Sequence, residues 1–501
     1  MNNKNLFLKG IASNYLHFLI ITVVGLWLTP FVLGYLSKEE FGVFAIFLDI
    51  ILWIKLIELT NGVLQSKLSQ YFGVHDQQNA NELIISAFVA QSSVAIILLL
   101  LCTYLSFNLD LIFTSSMSVP HLKEAFILVA FSSSIDLIFQ THSSIIVALK
   151  KVYLDNLINT AVFLLRVILV VYFLINGLDI LALAIANLVT SVVSGGLKYY
   201  RLKKLDLNIS WNMSFFSYSK LLFMFHNGKW FTMGGLAGLM IANIDRIITG
   251  KYLGLEWVTI YIITLKLFDY AEKFISKVVG MLRPYLADLY AKKEYDKLKE
   301  LYVFIDQTYS LLLIGVGFFI FLIDDSFINW WIGDGYYGGD VLTFFIFLNF
   351  SLQAMVMPKR ALLASTLFEV KKQNLARLYE GFINLALSLY LIHEYGLVGL
   401  VAASVIATLL GSNMTYAFFA RKLFSKYAGS IKYPKLFWGL IASFYLLAIF
   451  MVSAGLLQQD YYGLGLLVVY TICVGLYFFF YLKNNAYSRV VVSKLFKWNR
   501  K

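Results

Sequence analysis

The chain has 501 residues, of which 60% are hydrophobic and only 14% are charged. A soluble protein of this length could not bury so much apolar surface, so the composition excludes a soluble globular protein. The net charge of +12 is spread over short segments between apolar runs, unlike the single basic domain of a nucleic-acid-binding protein. Both cysteines lie inside apolar runs, so we expect neither a disulfide framework nor a metal site.

Apolar windows of about 20 residues predict about 14 membrane-spanning helices, and therefore an all-α integral membrane protein. The predicted spans are 11–33, 41–63, 83–107, 122–149, 154–175, 179–199, 220–248, 257–281, 301–323, 341–367, 374–393, 397–419, 435–456 and 462–482. The first has no small-residue cleavage site and leads directly into the second, so we interpret it as an uncleaved span rather than a signal peptide.

Lysine and arginine are concentrated in alternate loops. The basic loops follow residues 149, 199, 281, 367 and 419, and the C-terminal tail is also basic. The opposite loops hold little more than Lys38, Lys123 and Lys251, so the positive-inside rule predicts that both termini are cytoplasmic. The outer loops are no longer than about 20 residues, which leaves no room for an external catalytic domain. Without a Walker loop, zinc spacing or nucleophile elbow, we expect a non-enzyme that needs no cofactor.

The sequence repeats itself at a shift of about 217–220 positions across the first six predicted spans. Leu36–Glu39 matches Leu253–Glu256, and Gly177 matches Gly396. Because six is even, the two halves have the same orientation in the membrane, which makes the repeat parallel. We predict two six-helix repeats around a central cavity, followed by two further helices. The predicted domains are 1–207 for the first bundle, 208–425 for the second, and 426–501 for the extra helices and a basic cytoplasmic tail.

The predicted span 257–281 has four charged residues within a narrow arc of one face. They are Lys266, Asp269, Lys273 and Lys277. A charge at the centre of a bilayer costs about 2.5–3.5 kcal/mol on the insertion scale. Such a face is therefore expected to meet water, a partner charge or a substrate.

The repeat-related span 41–63 also has a polar face, on which Lys55 is followed by Glu58, Gly62 and Gln65. An alternative explanation applies to two pairs of these residues. Lys55 and Glu58 can form an intrahelical ion pair that lowers the cost of inserting both charges, and so can Lys266 and Asp269.

Further charges lie inside other predicted spans. Arg166 is near the middle of the span 154–175, and Asp136 belongs to a serine-rich face of the span 122–149 that also suits helix packing. The span 341–367 is extended past Pro358 because its repeat partner continues, and this places Lys359 and Arg360 inside the membrane.

Two expectations concern the partners of these charges. Arg166, Lys273 and Lys277 lack an adjacent carboxylate of their own, so we expect the cavity or its ligand to satisfy them. Asp245 and Arg246, near the outer end of the span 220–248, are interpreted as a gate or a structural pair. His17 and His226 are more simply explained as hydrogen-bonded packing residues than as proton relays.

Several segments show a resemblance to a known family. They are Thr29–Phe31, Leu36–Phe44, Asp245–Ile248, Tyr252–Gly254 and Trp330–Gly333. With these segments and its parallel repeat, the chain resembles the bacterial flippases of polysaccharide biosynthesis, which move lipid-linked oligosaccharides such as O-antigen units. That family belongs to the multidrug/oligosaccharidyl-lipid/polysaccharide exporter superfamily, and the resemblance covers essentially the whole chain.

The resemblance implies a function in the bacterial inner membrane. The substrate would be an oligosaccharide repeat unit of O-antigen, capsule or exopolysaccharide on undecaprenyl pyrophosphate, flipped by alternating access. The partners would be membrane lipids and downstream glycan polymerase machinery, with no nucleic acid. An isolated anion is unstable in lipid, and a cavity lined with lysine and arginine would replace its hydration.

The candidate residues follow from this implied function. The candidates for substrate binding are Lys55, Arg166, Lys266, Lys273, Lys277, Lys359 and Arg360. The candidates for charge pairing, or for coupling to H⁺ or Na⁺, are Glu58, Asp136 and Asp269.

Two other function classes were weighed. A cation-coupled exporter of drugs or small metabolites on the same fold would favour an acidic cavity, and the excess of internal cations argues against it. A glycan polymerase or ligase would need a larger outer loop for its acceptor chemistry.

Overall fold

The computed structural model describes residues 3–56, 61–109, 119–205, 209–433 and 435–455. Within these ranges the regular secondary structure is entirely helical. Seven helical stretches of this part of the chain are long and apolar enough to cross a membrane. They are Lys9–Leu33, Gln77–Ser106, Val152–Ile175, Asp179–Lys204, Tyr295–Trp331, Asp340–Thr366 and Lys371–Tyr427. The prediction of an all-α integral membrane protein is confirmed.

The chain divides into two compact units, Met1–Thr259 and Ile260–Lys501. The predicted domain limits of 1–207, 208–425 and 426–501 stay a prediction.

The first unit is a bundle in which α5 is central and packs mainly against α4 and α7. Its helices are α1 (Asn3–Leu33), α2 (Lys38–Lys55), α3 (Asn61–Gly73), α4 (Gln77–Ser106), α5 (Leu122–Ala148), α6 (Val152–Ile175), α7 (Asp179–Lys204), α8 (Tyr218–Ala242), α9 (Ile244–Tyr252) and the start of α10 (Leu255–Ala291). A capping box opens α2: the Ser37 hydroxyl accepts from the Glu40 amide at 3.1 Å, and the Glu40 carboxylate accepts from the Ser37 amide at 2.8 Å.

The close packing of α5 and α7 depends on a glycine. A Cβ on Gly195 would lie 2.3 Å from the ring of Phe139, whereas one on the neighbouring Gly196 would meet nothing within 4 Å. Small residues allow two helix backbones to approach in this way. This contact fixes the distance between two walls of the cavity described below.

The second unit contains the rest of α10 and the helices that follow it. These are α11 (Tyr295–Trp331), α12 (Asp340–Thr366), α13 (Val370–Thr408), α14 (Met414–Tyr427) and α15 (Lys435–Ser453). The kink in α13 is at Gly396, whose φ of 57° and ψ of −137° are not helical. A π-helical turn, Leu409–Asn413, joins α13 to α14. The two predicted spans 374–393 and 397–419 fall on the two sides of the Gly396 kink.

The parallel repeat is visible in the helix boundaries. Helices α5 and α12 are both 27 residues long and begin at positions 122 and 340. Left-handed backbone recurs at the same shift, at His75 and Lys293, and nearly so at Gly177 and Gly396. These helix starts and turns therefore recur at nearly constant spacing in the two halves of the chain.

Two predicted spans are wrong because the helices break inside them. The span 41–63 is divided, since α2 ends at Lys55 and α3 begins at Asn61, next to Gly62, and both are poor helix formers. Consequently Lys55 and Gln65 lie on different helices, while Glu58 lies outside the described residues.

The span 220–248 is divided at Asn243, which leaves the helix with φ −122° and ψ −18°. In contrast, the prediction that α12 continues past Pro358 is confirmed, since it ends at Thr366 with Leu367 in left-handed conformation. The predicted span 462–482 and the basic tail lie outside the described residues.

Candidate functional site

The first unit contains a cavity of about 390 Å³, which we call the first-unit cavity. Lys55 from the end of α2, Asp136 from α5 and Arg166 from α6 all line it. Its other polar lining residues are Ser132, Ser133, Asn159, Asn187, Thr190, Ser191 and Ser194. Three of the candidates predicted from the sequence, located in three different helices, are thus brought together.

Positive charge is in excess in the first-unit cavity. Among the residues described there, Asp136 is the carboxylate whose charge attracts both Lys55 and Arg166, and neither cation makes a direct ion pair with it. The Asp136 side chain is exposed, while Lys55 and Arg166 are half-buried. Glu58, which could add a second negative charge, lies outside the described residues. The cavity therefore offers two cations and several hydroxyl and amide groups, a combination suited to an anion with polar substituents.

The walls of the first-unit cavity are held by hydrogen bonds between helices. The hydroxyls of Ser132 and Ser191 are 2.9 Å apart, and the Ser134 hydroxyl donates to the carbonyl of Ala95 at 3.0 Å. The interpretation of the serine-rich face of α5 as a packing face is confirmed for Ser132. Ser132 also lines the cavity, so packing and lining are combined in one residue.

Nearby polar residues are satisfied by one another. The Asn159 amide donates to Asp155 at 3.1 Å, and Asp155 also accepts from the Ser143 hydroxyl at 2.7 Å. In α1, His17 lies 2.7 Å from the Thr160 hydroxyl, which confirms that it is a hydrogen-bonded packing residue.

Arg246 belongs to a different polar cluster of the first unit. Its Nε is 3.1 Å from the Asp49 carboxylate, to which the Asn243 amide also donates at 2.6 Å. Asp49 is only 1% exposed, so this pair is a buried structural contact. Sequence reasoning missed Asp49, although a single acid inside the apolar run 43–54 was a usable signal. Asp245, the other residue of the predicted pair, is also buried.

The charged face of α10 is partly neutralised. The Lys273 ammonium is 3.6 Å from the Asp269 carboxylate one turn earlier, so the prediction that Lys273 has no adjacent carboxylate is wrong. Both side chains are more than half exposed, at 63% and 53%. The Lys266 ammonium lies over the ring of Tyr270 at 5.8 Å, and Lys277 is half-buried.

A second group of cations lies on α12 and α13. The Arg360 guanidinium is 5.6 Å from the ring centre of Tyr416, and its Nε has no hydrogen-bond partner among the described residues. Arg377 is close enough to Arg360 to repel it, whereas Glu272 of α10 attracts Arg360. Neither Arg377, which was counted with the loop charges, nor Glu272, which directly precedes Lys273, was predicted as a site residue.

Glu380 of α13 is held by the π-helical turn. Its carboxylate accepts from the Thr408 hydroxyl at 3.1 Å, from the Ser412 amide at 2.9 Å and from the Ser412 hydroxyl. Gly411 allows this approach, since a Cβ there would lie 2.5 Å from the Glu380 Cβ. These three donors fix the position of the Glu380 carboxylate, which is close enough to attract both Arg360 and Arg377.

Lys359 lies apart from its sequence neighbour Arg360. It lines a different cavity of about 430 Å³, the second-unit pocket, where its ammonium is 3.0 Å from the Asp306 carboxylate. The Tyr433 hydroxyl donates to the same carboxylate at 2.6 Å, and Lys359 also donates to the carbonyl of Met355. With 13% and 3% of their side chains exposed, Lys359 and Asp306 form a buried ion pair.

The fold is that of a known class of membrane transporters. It is similar to an inward-facing MATE family multidrug resistance transporter of the MOP superfamily, with 15% identity, 81% of this chain and 95% of that chain covered, and a TM-score of 0.65. It is also similar to the lipid II flippase MurJ in an inward closed conformation, with 13% identity, 94% and 97% coverage, and a TM-score of 0.66. At such identities the likeness shows the fold alone.

The family follows from the sequence match. Residues 35–338 match the family model described as "Polysaccharide biosynthesis protein", and the chain belongs to this family. It is 22% identical over 302 residues to the uncharacterized membrane protein EpsK of Bacillus subtilis (strain 168). That match spans 58% of this chain and 58% of the curated relative. The protein is thus a multi-pass membrane protein of the polysaccharide biosynthesis family with the MOP-superfamily fold.

Proposed function

We propose that the protein is a flippase that moves undecaprenyl-pyrophosphate-linked oligosaccharide repeat units across the inner membrane by alternating access. The first-unit cavity is the observation that supports this most directly, since Lys55 and Arg166 line it and Asp136 is the described lining carboxylate that attracts both. A pyrophosphate leaving water needs charge-assisted hydrogen bonds to replace its hydration, and the sugar needs hydroxyl and amide partners. The described lining of the cavity offers both kinds of group.

The second unit contains further candidate cations for binding the anion. Lys266, Lys273 and Lys277 follow one face of α10, and Arg360 and Arg377 repel each other on α12 and α13. Two neighbouring guanidinium groups are stabilised when an anion lies between or beside them. Lys359 is not included in this group, because Asp306 already neutralises it.

The first experiment tests the role of the cavity cations. In a strain that lacks the gene, Arg166→Ala should fail to restore glycan export while its amount in the membrane stays at the wild-type level. Arg201→Ala is the matched control, since Arg201 is exposed near the end of α7 and outside the cavity, and it should restore export fully. Full export by Arg166→Ala would contradict the proposed role of the cavity.

A second experiment tests the orientation, with both termini in the cytoplasm. In a background without Cys102 and Cys473, cysteine at Lys151 or Lys371 should be protected from a membrane-impermeant thiol reagent added outside. Cysteine at Asp334 should be labelled. The reverse pattern would contradict this orientation.

A cation-coupled exporter of small molecules is the second candidate, and the likeness to MATE transporters favours it at the level of fold. A positively charged substrate would be repelled by Lys55 and Arg166, which argues against it. Resistance to cationic drugs that depends on this gene, with unchanged glycan export, would favour the exporter. Glycosyltransferase genes beside this gene would favour the flippase.

A further inference from the structure

The second unit contains a buried carboxyl group to which no function described above applies. Asp324 of α11 is fully buried, with 0% of its surface exposed. Neither of its carboxyl oxygens has a hydrogen-bond partner within the described part of the chain. Ile320, Phe321 and Ile328, which lie one turn before or after it on the same helix, are also buried. An aspartate in these surroundings is unusual, because buried polar groups almost always have partners.

Among the described residues, the polar groups near Asp324 offer no positive charge. Asp325 of the same helix and Tyr337 of the segment 332–339 act on it electrostatically, and both can only add negative charge. The Tyr337 hydroxyl is already used, since it donates to Asp340 at the start of α12 at 2.9 Å.

The other described elements packed on α11 do not supply a cation there either, since none of their charges acts on Asp324. Helix α15 packs on α11 through Phe444, whose ring is 5.5 Å from that of Phe318. Helix α14 packs near the opposite end of α11, where Phe424 contacts Tyr302. An ionised carboxylate in this position would have neither a donor nor a counter-charge from the described residues, which strongly disfavours the charged form.

We propose that Asp324 is a proton-binding site of the second unit, neutral in this conformation. The proton stays on the carboxyl while α11 and α12 remain packed. It is released to water, past the Tyr337 hydroxyl and Asp340, when that end of the unit admits solvent, and the carboxylate then remains behind. Asp324 directly follows the predicted span 301–323, at the end of α11 that we expect to lie on the outer side of the membrane. A group that is neutral in one conformation and charged in another couples proton concentration to the balance between the two conformations.

The sequence supplies a matched control beside the site. Asp325 is the next residue on α11, but it accepts from the Asn329 amide at 2.9 Å and is therefore satisfied. The full-length protein in lipid nanodiscs should be compared as wild type, Asp324→Asn and Asp325→Asn over about pH 5 to 9, following thermal unfolding. The folded state retains a proton that the unfolded chain releases, so the stability of the wild type should fall as pH rises. Its unfolding equilibrium constant should rise by up to about tenfold per pH unit relative to Asp324→Asn, and Asp325→Asn should keep the wild-type slope.

Infrared spectroscopy gives an independent measurement that does not require the unfolding to be reversible. The wild type at neutral pH should show the C=O stretch of a protonated carboxyl that Asp324→Asn lacks and Asp325→Asn retains. Asp324→Leu, which has a similar size and no charge, should also fold, because it replaces a neutral group. Equal pH slopes for wild type and Asp324→Asn, or no protonated-carboxyl band in the wild type, would overturn the proposal. The proposal would also be overturned if Na⁺ stabilised the wild type more than choline did and Asp324→Asn abolished this difference. The ligand of Asp324 would then be a metal cation.

Discussion

Arg166 in the first-unit cavity and Lys359 in the second-unit pocket are both cations inside long helices of an apolar chain, but their surroundings differ. Lys359 has Asp306 at 3.0 Å, and Tyr433 completes the hydrogen bonding of that acid. Arg166 has the more distant charge of Asp136 and no direct ion pair among the described residues. A cation inside a membrane helix therefore does not by itself indicate a binding site. What distinguishes a candidate site is a charge that the protein leaves without full compensation.

The largest loss of stability is expected at Lys359, whose charge is already neutralised by Asp306. Lys359→Ala should lower the free energy of unfolding by about 3–5 kcal/mol, because it leaves Asp306 buried and unpaired. The melting temperature and the amount of protein in the membrane would measure this loss. Adding Asp306→Asn should recover part of it, since a neutral amide tolerates burial better. Arg166→Ala is expected to accumulate normally in the membrane. If Lys359→Ala were equally stable, the proposed difference between the two cations would be wrong.

An intermediate effect is expected at the wall of the first-unit cavity. Gly195→Ala should lower the free energy of unfolding by about 1–3 kcal/mol, because its Cβ would overlap the Phe139 ring and push α7 away from α5. Gly196→Ala is the control at the next position, where a Cβ has open space, and it should raise stability by about 0.5–1 kcal/mol or leave it unchanged. Melting temperatures in the same detergent measure both. Equal behaviour of the two variants would contradict the packing described for α5 and α7.

The smallest effect on stability is expected on α10. Lys273→Ala removes an exposed ion pair with Asp269 and should change the free energy of unfolding by less than about 0.5 kcal/mol. If Lys273 binds the anion, glycan export should nevertheless be lost. Lys292→Ala breaks the same kind of pair, with Asp288 at 2.6 Å, and should leave export and melting temperature unchanged. Export by Lys273→Ala at the wild-type level would remove Lys273 from the proposed path.

Much of the architecture could be predicted because it depends on local sequence. The apolar windows and the repeat predicted α5, α12 and the continuation past Pro358, since helix period and length are written in neighbouring residues. The break at Asn243 was missed, because it is accompanied by a hydrogen bond to Asp49, which is distant in sequence.

The candidate site was harder to predict than the helices, because it depends on contacts between residues distant in sequence. The charges of Lys55, Asp136 and Arg166 could be selected from the sequence, but their convergence on one cavity required the packing of α2, α5 and α6. The neutralisation of Lys359 could not be predicted, since Asp306 is 53 positions away and nothing local links them. Arg377 lies inside the predicted span 374–393 but was counted with the basic loop before it, and its approach to Arg360 depends on the packing of α12 and α13.

The π-helical turn at Leu409–Asn413 lies where the shift between the two repeats increases by one residue. The shift between matching positions is 219 at Gly177 and Gly396, and 220 at Arg201 and Arg421, so the second repeat has gained a residue between them. A wide helical turn absorbs one extra residue while the helix continues on both sides. The widened turn presents the Ser412 amide to Glu380, a donor that a regular helix would have used internally. In the second repeat, one extra backbone residue thus provides a hydrogen-bond donor for the Glu380 carboxylate. This stabilises the negative charge without an additional cation.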